Sequence, residues 1–298
     1  MIFGAFGAFI VVALTLTSLP LIEMFFPVVS DIKLLELQDL NHPLLARMAV
    51  QAPGTYHHSV VVGNLAEDAA EAIGANPLLT RVGSYFHDIG KMDKPEYFIE
   101  NQRDSINPHD NLSPSMSALI LLSHVTKGLE MAKEHKLIPQ IRDMIGEHHG
   151  LQLIKYFYQR AKEQEKPGIS TVKEDDFRYN GRKPRTRESA IVALADSVEA
   201  ASRTLKNPTS SRLRQVVFKI INDKFLSGQL DDSHLTLQDI KKIGESFVRI
   251  LHGVVHYRVK YPGDNLDDDT VDNNKEGNKI AEPYKNKKEI SVDFERIE

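Results

Sequence analysis

The first 22 residues break the alternation of polar and apolar positions that runs through the rest of the chain: no Asp, Glu, Lys, Arg or His occurs before Glu23. A helix of 22 residues is roughly 33 Å long, enough to cross a hydrocarbon core of about 30 Å. A signal peptide would need a basic leader and a small-residue cleavage site, and neither is present. The pattern therefore predicts a transmembrane helix over 1–29, bent or ended at Pro20. Lys33 and Arg47 beyond it favour a cytoplasmic C-terminal side. Residues 30–50 read as a connecting helix. Ile32, Leu34, Leu35, Leu37 and Leu40 recur at partial helical spacing until Asn41-His42-Pro43 interrupts them.

From residue 51 the apolar period, where there is one, is helical. Pro53-Gly54-Thr55-Tyr56 reads as a turn. A helix follows from His58, with Val61, Val62, Leu65, Ala69 and Ile73 on one face and Gly74 at its end. Asn76 as N-cap and Pro77 at the first helical position start the next, which runs to His87-Asp88 and stops at Gly90, a residue expected to let the backbone turn tightly. Residues 95–114 are irregular and polar. Ser113-Pro114 opens a helix with apolar Met116, Leu119, Ile120, Leu122 and Val125. Pro139 opens a short one with Ile141, Met144 and Ile145 inward, ending in Glu147-His148-His149-Gly150. Residues 151–161 read as helix, 163–188 as a charged loop or flap, and 189–205 as a strongly apolar helix. Two further helices are expected over 211–226 and 236–259, the second from a capping-box-like Thr236-Leu237-Gln238-Asp239. From Pro262 onward eleven acids face six bases with almost no apolar period, so 263–298 reads as a disordered acidic tail. With no repeat and no credible strand ladder, the fold class is all-α, a helical bundle.

Composition narrows the chemistry. The chain has 298 residues, 41% hydrophobic and 26% charged, which suits one large folded domain with appendages. There is no cysteine, so disulfides and thiolate metal sites are excluded. The net charge of −4 gives no overall signature for a nucleic-acid polymer.

The histidines are placed for chemistry. His58, His87-Asp88, His124, His148-His149 and Asp196 come from five helical segments, each at a helix end or on an apolar face. Singly, each reads equally well as a packed or solvated side chain; together they do not. Asp196 lies in a helix so apolar that its charge needs a partner, and a cation accounts for it better than a neighbour. Glu199 and Arg203 share its face and read as an ion pair. His148 and His149 would diverge by about 100° on a continuing helix and converge only if it unwinds, which Gly150 permits. Asp88 has two oxygens and can bridge two cations. Five imidazoles and two carboxylates without sulfur suit Fe, Mn, Co, Ni or Zn rather than Mg or Ca. Lys91 brings an ammonium suited to phosphate. Arg178, Arg182, Lys183, Arg185 and Arg187 crowd a loop whose Tyr179 offers a ring to stack on a base; a solvated loop is the other reading.

These residues resemble the HD-domain superfamily of metal-dependent phosphohydrolases, whose His…His-Asp…Asp set would here be His58, His87, Asp88 and Asp196. His124, His148 and His149 match its two-metal branch. More narrowly, Ala52-Pro53-Gly54-Thr55-Tyr56-His57-His58-Ser59, Tyr97-Phe98-Ile99-Glu100-Asn101-Gln102, Asn107-Pro108-His109-Asp110, Glu147-His148-His149-Gly150 and Leu194-Ala195-Asp196-Ser197-Val198-Glu199-Ala200 resemble the seven-transmembrane HD phosphodiesterases of the PgpH type. The resemblance implies an all-helical cytoplasmic HD domain over 51–262, tethered to the cell membrane. It implies two divalent transition-metal ions, iron or manganese, one on His58, His87, Asp88 and Asp196, the other on Asp88, His124, His148 and His149. Two such ions can clamp the attacking and leaving oxygens of an in-line displacement at phosphorus. The implied reaction is hydrolysis of cyclic di-AMP to pApA. Asp88 and Lys91 would be catalytic, and Lys91, Tyr179, Lys183 and Arg203 would contact substrate. The Gly-Tyr-Pro that marks the cyclic di-GMP branch is missing after His149. Departures are a start at what resembles the last of seven membrane helices, and Asn180-Gly181-Arg182 where the family tends to read Pro-Gly-Pro. A monometal HD nucleotide hydrolase and a non-catalytic membrane-tethered scaffold or sensor remain as alternatives. Oligomeric state and regulatory signal stay open.

Overall fold

The computed structural model describes residues 2–25, 29–102, 107–165, 171–205 and 208–256. Among them every regular element is helical, apart from one isolated bridge between Leu153 and Arg178. The helices are α1 (Ile2–Phe25), α2 (Asp31–Gln38), α3 (Pro43–Gln51), α4 (Pro53–Ile73), α5 (Pro77–Phe86), α6 (Pro114–Glu134), α7 (Pro139–Glu147), α8 (Lys155–Glu163), α9 (Arg187–Ser202), α10 (Ser210–Leu226) and α11 (Leu237–His256). The side chains of 19–25 lie outside the described residues, and among those described no helix is long and apolar enough to cross a membrane. The expected acidic tail over 263–298 also lies outside them.

Two apolar clusters hold the bundle. In the first, Val62, Leu65, Ala66 and Ala69 of α4 pack on Ile191, Leu194, Ala195 and Val198 of α9, closed off by α10 and α11. Alanines at these contacts let α4 and α9 approach closely, and α9 is buried on nearly every face. In the second, Leu34, Leu37, Leu44, Leu45 and Met48 of α2 and α3 cover Val82 and Phe86 of α5, Ile89, and Ile141 and Ile145 of α7. The gap between the clusters is lined by α4, the end of α5, α6, the end of α7 and α9.

Helix starts follow local chemistry. Asn76, Ser113 and Thr186 each accept a hydrogen bond from a first-turn amide. Thr236 and Asp239 form the expected reciprocal cap. Several expectations are corrected. The 53–56 turn is the first turn of α4, since Pro53 occupies a position where its missing N–H costs nothing. The connecting helix is two helices; it buries Leu34 and Leu37 but leaves Ile32, Leu35 and Leu40 exposed. Residues 151–154 are not helical, because Ile154 N–H donates to Phe177 O (2.9 Å) and Tyr179 N–H to Gln152 O (2.9 Å). The 163–188 segment is likewise more than a flap: a 3-10 turn, Glu174–Phe177, buries Phe177 against Ile154, Phe157 and Ala161.

Gly90 differs too. It sits in a 3-10 turn, Ile89–Asp93, and is not among the left-handed glycines of the described residues, which are Gly74, Gly150 and Gly228. It allows close approach instead: a Cβ there would lie 1.8 Å from His124 O and 2.4 Å from Gly128 N of α6.

Candidate metal centre

Each histidine is aimed from behind. His58, in the second turn of α4, directs Nδ1 to Glu199 Oε2 at 2.5 Å. His87, which closes α5, directs Nδ1 to Ser84 O at 2.7 Å. His124 in α6 reaches Leu121 O at 2.6 Å, and His148 at the end of α7 reaches Ile145 O at 2.9 Å, both through Nδ1. These partners only accept, so each Nδ1 donates to them and each Nε2 is the nitrogen left facing the gap, the orientation that metal-binding histidines adopt. His148 stays helical, and Gly150 turns left-handed at φ +57°, ending α7 so that both histidines face inward. His149 Nδ1 lies 4.0 Å from Asp196 Oδ2.

The inward atoms fall into two groups, Asp88, His124, His148 and His149, and His58, His87, Asp88 and Asp196; within each they lie within 4.8 Å of one another. Asp88 is common to both. Its Oδ2 faces His58 Nε2 (3.6 Å) and His87 Nε2 (3.2 Å), and its Oδ1 faces His124 Nε2 (3.4 Å) and His148 Nε2 (3.6 Å). Asp88 Oδ1 and His87 Nε2 are buried without a hydrogen-bond partner. An orphaned buried polar atom costs about 1–3 kcal/mol, and a cation among the inward-facing atoms would remove that cost. The residues therefore fit divalent metal.

The electrostatics agree. Burial alone would lower the pKa of His87, but Asp88 and Asp196 outweigh it and hold the ring at about 10. His58 is raised against burial by Asp196 and Glu199. Across the gap burial wins: it drives His124 down to about 4 despite Asp88, and with His148 it holds His149 well below the usual range. Asp88 and Asp196 stay far below ordinary carboxylates although burial opposes it, Asp88 through Lys91 and His87, Asp196 through His58 and His87. A proton on His87 thus offsets carboxylate charge that a cation would otherwise offset.

Of the four residues expected to contact substrate, two meet this cluster. Lys91 Nζ lies 2.7 Å from Asp88 Oδ2 and 2.9 Å from Glu100 Oε1, above the Phe98 ring. Tyr179 stacks on His149 with centroids 4.2 Å apart and planes 25° from parallel. Arg203 is held by Glu199 (3.1 Å) and Lys183 by Asp231 (2.9 Å), so neither is brought to the ligands.

Three carboxylates were missed. Glu199 binds Arg203 as expected but also orients His58; its place one turn after Asp196 in an apolar helix was the available signal. Glu147, fully buried, accepts from Ser189 Oγ (2.9 Å), Arg185 Nε (2.6 Å) and Arg185 N (3.2 Å), tying the ligand pair to the start of α9. Glu100 accepts from Lys91 and from Thr55 Oγ1 (3.1 Å), and no local pattern announces it.

A family model described as the HD domain matches residues 55–201. A crystal structure of the L. monocytogenes phosphodiesterase PgpH HD domain in complex with cyclic-di-AMP is 48% identical, with a TM-score of 0.68, and the match covers 72% of this chain and 98% of that one. The chain belongs to the HD-domain family. Within it, similar full-length proteins are the cyclic-di-AMP phosphodiesterases PgpH of Listeria monocytogenes, 47% identical over 261 residues, and of Bacillus subtilis, 44% over 262. Each alignment takes in 88% of this chain but 35% and 36% of the relative, so the chain spans about a third of the length of these curated relatives. His58, His87, Asp88 and Asp196, one of the two ligand-capable groups, all lie inside the matched residues.

Proposed function

We propose that this chain is a two-metal phosphodiesterase that cuts cyclic di-AMP at one phosphodiester bond and releases pApA. The observation that carries the reading is the pair of four-residue ligand sets sharing Asp88, in a chain nearly half identical to proteins named as cyclic-di-AMP phosphodiesterases. One ion would be held by His58, His87, Asp88 and Asp196, the other by Asp88, His124, His148 and His149. Nitrogen and oxygen donors without sulfur suit iron or manganese. When bound, such ions act as Lewis acids toward a phosphodiester and lower the pKa of water.

The chain's own residues do the rest. Lys91, fixed by Asp88 and Glu100, offsets charge building on the phosphate or gives a proton to the leaving oxygen. Tyr179, braced on His149, presents a ring for adenine. Lys183 and Arg203 add positive potential near an anionic substrate rather than a direct contact. Residues 51–262 would carry this activity in the cytoplasm. Residues 1–29 would span the membrane, which the charge-free run before Glu23 supports, and 263–298 would be a solvated tail. Alkaline carbonate should leave the chain on membranes; its release would remove the spanning assignment.

Turnover of cyclic di-AMP, cyclic di-GMP and deoxynucleoside triphosphates, side by side with manganese or ferrous iron, tests the function. Selective formation of pApA is expected. Faster hydrolysis of cyclic di-GMP, release of triphosphate, or no turnover by metal-loaded protein would overturn it, the last in favour of a sensor or scaffold.

A further inference from the structure

The family match ends at residue 201, yet the turn carrying His148 and His149 is gripped from beyond it. Gln229, just after α10, accepts the Leu151 N–H on Oε1 at 3.1 Å. The same oxygen fills the space over Gly150, where a Cβ would come within 2.3 Å of it. Buried Lys224, in the last turn of α10, donates to Gln152 Oε1 at 2.9 Å, and its carbonyl accepts the Gln229 N–H at 3.1 Å. Gln152 joins the parts: its N–H donates to His149 O (3.1 Å), and its carbonyl accepts from Tyr179 N–H.

We propose that Gln229, backed by Lys224, is a positioning residue for His149 and, through Gln152, for the Tyr179 ring stacked on it. Two adjacent histidines face one cation only where the helix stops between them and the chain reverses. The reversal takes Leu151 N–H out of the helical ladder, and Gln229 supplies its acceptor. Gln229 touches no inward-facing ligand atom, so it acts through the turn alone. Leu151 is itself exposed, so its amide can turn to water when Gln229 is removed. The cost then falls on the orientation of His149 rather than on folding. This inference rests on the two-ion reading above.

The test is titration of the full metal-free chain with Co²⁺, followed by calorimetry and by the visible absorption of the bound ion. The wild type should show two binding steps. Gln229→Ala should keep the step belonging to His58, His87, Asp88 and Asp196 and weaken the other by about 10–100-fold, the usual effect of losing a residue that orients a ligand. Gln229→Glu, which keeps an acceptor oxygen, should restore the second step to within a few-fold. Two unchanged steps in Gln229→Ala, equal weakening of both, or no rescue by Gln229→Glu would overturn the inference. A wild type with only one step would remove the two-ion reading and this inference with it, whereas two wild-type steps that Gln229→Ala leaves intact would overturn this inference alone. Should Gln229→Ala fail to fold, hydrogen exchange in the wild type decides: a protected Leu151 amide supports the grip, and exchange at the rate of an open amide refutes it.

Discussion

Gly90→Ala should damage stability and metal binding together. The added Cβ would lie 1.8 Å from His124 O, 2.4 Å from Gly128 N and 2.8 Å from His124 C, all backbone atoms that no rotamer change can move. Non-bonded carbon contacts settle at about 3.5–4.0 Å, so the Ile89–Asp93 turn and α6 must separate by more than about 1 Å. Overpacking relieved by backbone movement costs about 1–3 kcal/mol, occasionally more, and this contact belongs at or above the top of that range. A domain with about 5–15 kcal/mol of stability survives the change but feels it. Asp88 and His124 sit on opposite sides of the contact, so the same displacement pulls a shared ligand away from its neighbour, and a misplacement of about 1 Å costs about 10²-fold in rate. The assays are urea unfolding of the metal-free chain, Co²⁺ titration and turnover. Gly253→Ala is the control: nothing lies within 4 Å of its added Cβ, so in α11 it should stabilise by up to about 1 kcal/mol. A Gly90→Ala chain within about 1 kcal/mol of wild type that still binds two ions would refute the reasoning.

Three other outcomes are expected. Glu199→Ala frees the His58 ring and should weaken cation binding by about 10–100-fold, read by calorimetry; unchanged affinity would mean that Glu199 serves only Arg203. Cation binding should release protons at neutral pH, because His87, held at about 10, is protonated there and must give up its Nε2 proton, and the upward shift of His58 acts in the same direction. Affinity should accordingly fall as pH falls, by up to about tenfold per unit for each proton displaced, and calorimetry in buffers of different ionisation enthalpy showing no release would sink the argument. Lys91→Met should lower kcat by about 10²-fold or more with both ions still bound; loss of the ions instead would assign Lys91 to the frame of the site.

The helix starts at Asn76-Pro77 and Ser113-Pro114 were legible because a cap and a proline act within one turn. The ligands were legible because histidines and acids at ends and on apolar faces lack a cheaper explanation. What escaped depends on distant partners. Pro53-Gly54-Thr55-Tyr56 resembles a turn locally; it becomes helix where Asn101 Oδ1, 46 residues away, takes the Thr55 N–H. Residues 151–154 have a helical composition, but their backbone groups are claimed by Phe177 and Tyr179. The second role of Glu199 needs α4 and α9 packed together, since His58 is 141 residues from it. A glycine kept for close approach is indistinguishable in sequence from one kept for its dihedral freedom; Gly90 does lie in a tight turn, but the contact with α6 is what a side chain there would break.

His58 and Asp196 are 138 residues apart, and that separation orders events during biosynthesis. At about 5–20 residues per second, roughly 7–28 s pass between the two leaving the ribosome. Through that interval His58 and the His87-Asp88 pair exist without Asp196, and without the Glu199 that aims His58. The set of Asp88, His124, His148 and His149 is fully synthesised earlier, but its turn waits for Glu147 to meet Arg185 and Ser189. A centre built from both sets is therefore complete only once α9 has been made. Similar donor sets follow the same affinity order for the first-row divalent ions, so the ion taken up by the proposed centre would be decided by which ions are available when α9 docks.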